Sequence, residues 1–378
     1  MIHNLRRTIP RMAPLVVAAA AVLALPACGS NNSNNSSNAS AASASGGGKN
    51  SVSVAMQPVV TGIKFAQDMT VGMKAAAADD GAIKLTVQGP PMLDAVAGQK
   101  VVTDLLSQNP DGIGISPFPA ELWHRTMQTV KERVPNALAF NIRPSGAPAD
   151  VPSTPIKTFI GMNDVQIAKA VAAKTIELAK LGPDTKGYAL VAQCTPGKTG
   201  SLADRTTGFK AVIAQKLPNV QVRVFYPGPD PQGNTKAWRA ELQANPNPVL
   251  TLGACDQDTT SVYLLKKSSG AKFPSGAMET PPEAIKGVED GSITVTGSSH
   301  WYTIGYVATT ILGRGARGDK MPEGWIDPGF TLVTKDNGAE ISKRDSSVAE
   351  TKKWYTPQVK QILADVKGHT QPMTNAFK

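Results

Sequence analysis

Aromatic side chains are scarce in this chain of 378 residues, at 5% of the total. So few rings cannot supply the stacking platforms on which single-stranded nucleic acids are held. The formal charge is +10, yet no run of five or six basic residues gathers it into a stripe along which a phosphate backbone could lie. Nucleic acid is therefore excluded as a partner. The four histidines fall in no HExxH pattern and the three cysteines in no CxxC pattern, so no metal or other cofactor is expected. A GxSxG nucleophile elbow is also absent, which removes the commonest exported hydrolase signature. The longest apolar run, Ala13 to Leu25, is shorter than the roughly 20 residues that a permanent membrane span needs.

What is present begins with Arg6, Arg7 and Arg11, then that apolar run, then Leu25-Pro26-Ala27-Cys28. A charged segment, a short hydrophobic segment and a small residue before cysteine read as an export signal. The ending has the form of a bacterial lipobox, in which Cys28 is lipidated and becomes the mature N-terminus; a plain cleaved signal is the alternative. Loss of the three arginines lowers the formal charge from +10 to +7. Residues 29–50 are almost wholly Gly, Ser, Asn and Ala and cannot bury a core. As a flexible coil they would reach about 25 Å, which suits a tether. The expected location is the extracytoplasmic face of the bacterial cytoplasmic membrane, anchored by lipid.

From residue 51 onward, short β-like runs alternate with helix-like runs. Strands are expected at Ser51–Met56, Ile83–Val87, Gly112–Ile115 and Ala137–Phe140, with helices over Phe65–Ala78, Ala95–Gln108 and Pro119–Val134. The pattern then restarts: helices over 163–179, 202–216, 235–244, 259–269 and 303–312, and strands over 188–194, 220–225, 249–254 and 292–296. Alternation of this kind implies the α/β class with parallel sheets covered on both faces. Two such units in series, with the chain returning at the end, predict two Rossmann-like, doubly wound lobes joined by a hinge of crossing strands, with ligand in the cleft. The expected division is a first lobe of 51–157 plus 300–326, a second of 158–299 plus 327–340, and a tail of 341–378 with a helix over 348–366.

Several motifs then carry a specific resemblance. Asp111-Gly112-Ile113-Gly114-Ile115-Ser116-Pro117 resembles the third-strand signature of the type I periplasmic sugar-binding proteins, the ribose and galactose group. Arg205-Thr206-Thr207-Gly208-Phe209 matches their Arg-x-x-Gly-Phe helix start, and Cys255-Asp256 stands where they carry Asn-Asp. The segments 284–291 and 312–322 resemble their helix ending in Asp-Gly and their Leu-x-Gly-x…Pro stretch. Gly89-Pro90 and Gly98-Gln99 lean toward the branch with receptors for rhamnose and for the furanosyl quorum signal.

The resemblance implies a receptor that closes on a sugar or polyol and delivers it to a permease of an ABC importer. It would act as a monomer, without catalysis and without a cofactor. Charge-assisted hydrogen bonds orient a polyhydroxyl ring while aromatic faces cover its C–H surface. Carried over position by position, the ligand shell would be Gln57, Phe65, Asn141 and Arg143 from the first lobe and Arg205, Cys255, Asp256 and Glu279 from the second. Ser299 and His300 would join it from the returning segment. A ligand sensor for a membrane signalling protein, and an exported carbohydrate-active enzyme, are the alternatives.

Cys194 and Cys255 each end an apolar strand of the second lobe, and in the strand order 2-1-3 those strands are neighbours. The pair could bridge at the cleft, or stand as two buried thiols. Two further patterns fail on their own terms. Gly197-Lys198-Thr199 lacks the glycine at position 192 that a phosphate loop needs, since Ala192 stands there. Asp256-Gln257-Asp258 has Lys267 where a calcium loop ends in Glu.

Overall fold

The computed structural model describes residues 51–378, so the signal, Cys28 and the tether lie outside the described residues. The first lobe is built from β1 (Val52–Gln57), α1 (Lys64–Asp80), β2 (Ile83–Val87), α2 (Ala95–Leu106), β3 (Gly112–Ile115), α3 (His124–Arg133), β4 (Ala137–Phe140) and β5 (Thr158–Ile160). The chain crosses over and repeats the theme with α4 (Asp164–Leu178), β6 (Gly187–Ala192), α5 (Ser201–Lys216), β7 (Val220–Phe225), α6 (Pro231–Ala244), β8 (Leu250–Gly253), α7 (Asp256–Ser269), β9 (Ser275–Met278), α8 (Pro282–Asp290) and β10 (Val295–Ser299). It returns through α9 (Trp301–Ala316) and β11 (Gly324–Ile326), crosses again into β12 (Phe330–Val333), and ends in α10 (Gly338–Arg344), α11 (Val348–Ala364) and β13 (Thr370–Gln371).

The two sheets have orders β13-β11-β5-β4-β3-β1-β2 and β12-β10-β9-β8-β6-β7. Only β12 and β13, at the edges, run antiparallel to their neighbours. Strands such as Gly112–Ile115 and Leu250–Gly253 are buried along their whole length, because helices cover both faces of each sheet. Three connections, 161–163, 300 and 327–329, pass between the sheets and form the hinge.

Helices α1 and α9 meet backbone to backbone. A Cβ on Gly72 would overlap the carbonyl oxygen of Tyr302, and one on Gly305 would overlap that of Met69. The tail is part of the body: Tyr355, Val359 and Ile362 of α11 are buried, and the Tyr355 ring stacks on Tyr302 at 5.6 Å and 11°.

Four departures from the sequence reading have physical causes. The helix expected over Pro119–Val134 is broken, with a 3-10 turn at Ala120–Leu122 ahead of α3. Trp123 at the break turns inward, and its Nε1 donates to the Phe118 carbonyl at 2.9 Å. The strand expected at 292–296 begins at Val295, because Gly291 closes α8 in the left-handed conformation and Ile293 is drawn into the core. β9, sequence Ser-Gly-Ala-Met, carries too little apolar pattern to have been seen. β5, assigned to the second lobe by a boundary at 158, pairs with β4 and β11 in the first sheet.

Candidate functional site

The carboxyl ends of the strands in both lobes face one another across a cavity of about 140 Å³. From the first lobe, the turn after β1 supplies Val59, Val60 and Ile63, the start of α1 supplies Phe65, and the turn after β4 supplies Asn141 and Ile142. From the second, Arg205 comes from α5, Cys255 and Asp256 from the β8–α7 junction, and Glu279 from the end of β9. Trp301, at the start of α9, closes the wall.

Arg205 is the fixed point of this site. Its side chain is buried, with Nε donating to Asp164 Oδ1 at 2.8 Å, Nη1 to the Ala254 carbonyl at 2.9 Å and Nη2 to Glu279 Oε1 at 3.1 Å. The guanidinium fork thus spans two carboxylates from two different elements, a geometry that lysine could not reproduce. Asp164 sits in the first turn of α4, where its charge also suits the helix dipole.

Glu279 has a positive φ of 67°, which turns its side chain from the strand end toward the guanidinium. Its Oε2 accepts from Trp301 Nε1 at 2.6 Å, and its Oε1 from Ser299 Oγ at 3.3 Å. Burial pushes its carboxyl up to about 7, against the opposing pull of the Arg205 charge. Burial likewise lifts Asp256 above the usual carboxylate range, opposed by backbone N–H groups and by Arg205. Trp301, held by Glu279, lies 4.8 Å from the Phe65 ring at 36°. Asn141 also has a positive φ, 62°, and its Nδ2 is buried without a partner among the described residues.

Residues 54–320 match the sequence pattern of the periplasmic binding protein domain. The chain belongs to that family. No curated protein sequence matches it. Among solved structures, this periplasmic binding protein is similar to an ABC transporter solute-binding protein from Burkholderia graminis in complex with D-arabinose. That likeness has 23% identity and a TM-score of 0.68, and covers 76% of this chain and 97% of the other. A solute-binding protein from Agrobacterium vitis bound with α-D-tagatopyranose is similar at 21% identity and a TM-score of 0.68, over 76% and 95% of the two chains. An arabinose-binding protein from Geobacillus stearothermophilus gives 20% identity and 0.63, over 77% and 99%. Together with the two sheets, these likenesses place the chain in the two-lobed, type I periplasmic binding protein fold.

Of the ten shell residues expected from sequence, six surround this cavity: Phe65, Asn141, Arg205, Cys255, Asp256 and Glu279. Four do not. Gln57 is folded back beneath the floor, its Nε2 donating to the Pro58 carbonyl and its Oε1 accepting from Ser116 N. Arg143 points away, ion-paired with Asp204 and donating to the Ala376 carbonyl, with its guanidinium 4.0 Å over the Phe377 ring. Ser299 lies behind Glu279, its hydroxyl 3.0 Å from Met162 Sδ. His300 belongs to the hinge: its ring nitrogens sit 2.9 Å from the Pro328 carbonyl and from Thr331 Oγ1, and burial holds its pKa down to about 4.

Cys194 and Cys255 form a disulfide, with Cα atoms 6.2 Å apart. Beneath it Asp258 accepts from Trp238 Nε1 at 2.9 Å and Asn234 Nδ2 at 3.0 Å, and burial pushes its carboxyl up to about 6. The two sulfurs and this carboxylate stand close enough for a metal, but sulfurs bonded to each other are not thiolate ligands.

Sequence reasoning missed Asp164 and Trp301, which hold the two ends of the Arg205–Glu279 pair. Asp164 carried a faint signal, an acid opening a helix after Asn163, but its partner lies 41 residues away.

Proposed function

We propose that this periplasmic binding protein captures a sugar or polyol between its lobes and delivers it to an ABC importer. It would act as a monomer held to the outer face of the cytoplasmic membrane by lipid on Cys28. The observation that carries the reading is the cavity at the strand ends, walled by both lobes, in which Arg205, Asp256, Glu279 and Asn141 stand beside the Phe65 and Trp301 rings. Groups from both lobes can engage one ligand only when the lobes are together, so bound ligand shifts the population toward the closed form. The periplasmic binding protein family to which residues 54–320 belong supports binding rather than turnover as the chemistry of the site. The sugars named for the similar structures, and the resemblance to the rhamnose and furanosyl-signal branch, point to pentoses, deoxyhexoses and furanoses first. The apolar wall of Val59, Val60, Ile63 and Ile142 suits a ligand with a methyl or bare C–H face.

A thermal-shift screen of residues 29–378 against sugars, polyols and amino acids tests this. Ligand at a hundred times its dissociation constant should stabilise the fold by about 2.7 kcal/mol, a shift of several degrees. A sugar or polyol that shifts the transition and is recovered unchanged supports the reading; an amino acid in that role, or a sugar that is turned over, refutes it.

A further inference from the structure

We propose that the ligand taken by this cleft carries a protonated amine, seated on the carboxylate of Asp256 with Glu279 beside it and the rings of Phe65 and Trp301 around it. The inference rests on the receptor reading above and narrows its ligand class to an amino sugar or amino polyol.

The argument is one of charge matched against charge. The cations near this wall are already engaged. Lys64 Nζ lies 2.7 Å from Asp68 and 3.8 Å from Asp345, and Arg344 Nε lies 2.7 Å from Asp345. Arg205 is shared by Asp164 and Glu279. Five carboxylates therefore face three cations, and Asp256 is the one with no ion-pair partner among the described residues. It lines the cavity directly, and also a smaller recess that it shares with Glu279, Phe65 and Trp301.

Asp256 is half-buried, and a partly desolvated carboxylate without a counter-ion carries a cost that a cationic ligand relieves. Burial raises both carboxyls, and the Arg205 charge pulls each of them part of the way back. Most of the Arg205 guanidinium is engaged by Asp164, Glu279 and the Ala254 carbonyl, so it offers a neutral sugar fewer donors than an uncommitted arginine would. An ammonium would find a carboxylate with no ion-pair partner among the described residues, beside the Phe65 and Trp301 rings, the kinds of group that favour a desolvated cation.

Asn141 supplies the independent sign of a polar ligand. Its Nδ2 is buried, 5% exposed as a residue, lacks a hydrogen-bond partner among the described residues, and lies in the cavity wall of the opposite lobe. A donor left in that state calls for an oxygen acceptor on the ligand, so the molecule carries a hydroxyl or ring oxygen as well as the amine. A metal ion fits less well. Glu279 already accepts from Arg205, Ser299 and Trp301, leaving too few free oxygens for the six or more that a calcium ion takes.

Calorimetric titration of the mature chain at about pH 6.5 with matched probes tests this: D-galactosamine, N-acetyl-D-galactosamine and D-galactose, then 1-amino-1-deoxysorbitol and sorbitol. Within each set the amine should bind at least about tenfold tighter than its uncharged relatives, the order of one charge-assisted hydrogen bond. In Asp256→Asn, which keeps the size and one carbonyl oxygen and leaves the Cys255–Asp258 cap of α7 untouched, that preference should fall below about threefold while the melting temperature holds. Equal or tighter binding of the uncharged members in the unaltered protein overturns the inference and leaves the receptor reading standing. An amine preference that survives intact in Asp256→Asn overturns the assigned seat. No binding by any of the five at millimolar concentration overturns the amine inference, and the receptor reading falls separately if the wider sugar and polyol panel is silent too.

Discussion

Arg205 shows how one side chain can organise a cleft. It touches Asp164 from α4, the end of β8 and Glu279 from β9, so its removal would leave two buried carboxylates uncompensated. Arg205→Ala should cost about 3–5 kcal/mol of stability, read as a fall in chemical-denaturation midpoint. Glu279 makes a pH prediction. Its carboxyl is pushed from 4.5 to about 7, so between those values the native state holds a proton that the unfolded chain has lost. Its contribution to stability therefore falls as pH rises from 4.5 to 7. His300 acts oppositely: with its folded value held down to about 4 from 6.5, stability is complete above 6.5 and is lost as pH falls toward 4. Melting curves across pH 4–8 should lose the first slope in Glu279→Gln and the second in His300→Gln. A curve unchanged in both variants would contradict the burial of these groups. At this scale the sequence was informative about residue type and poor about direction: Arg143 and Arg205 both look like ligand clamps on paper, but only one faces the cavity.

Among the elements, the crossing of α1 and α9 is the tightest constraint. Gly305→Ala would force a methyl group into the Met69 carbonyl and drive the helices apart. Overpacking of this kind costs about 1–3 kcal/mol, measurable as a lower melting temperature. The Cys194–Cys255 bridge ties β6 to β8 across 61 residues of sequence. Loop closure of that length is worth about 4 kcal/mol, so reduction, or a double substitution to Ser, should lower stability by an amount of that order. The approach of the two cysteines was legible because they end two strands that the doubly wound order makes neighbours; the bridge itself depends on side-chain direction, which strand order leaves open. The break at Trp123 and the late start of β10 were not, since each is decided by one side chain finding a place in the core: Trp123 in the first case, Ile293 in the second.

For the whole molecule, the tail changes how the lobes are held. The match to the family pattern ends at residue 320, and α10, α11 and β13 all lie beyond it. β13 adds a strand beside β11, while Arg143 of the first lobe is ion-paired with Asp204 of α5 in the second and also grips the carbonyl of Ala376. Asn163, in the first crossing, donates to the Asn375 carbonyl at 3.1 Å. The C-terminal segment thus straps the hinge side of the cleft. Arg143→Ala should open the ligand-free protein, seen as a larger radius of gyration in solution scattering, with affinity weakened severalfold because closure must be restored on binding. An unchanged radius would show that the strap does not set the lobe angle.

The sequence by itself determined the α/β class, the two doubly wound lobes and the family resemblance, and it placed the two cysteines at the ends of neighbouring strands without deciding whether they bridge, because periodicity, strand-ending motifs and neighbouring strand order are local or nearly local properties. Only the tertiary structure decided which polar groups face the cleft. Gln57, Arg143, Ser299 and His300 are drawn off by partners in the β3 turn, the C-terminal strap, the Met162 sulfur and the hinge. Asp164 and Trp301 are brought in to hold Arg205 and Glu279. Side-chain direction at a strand end depends on contacts far away in sequence, and a buried charge goes where the fold offers it a partner.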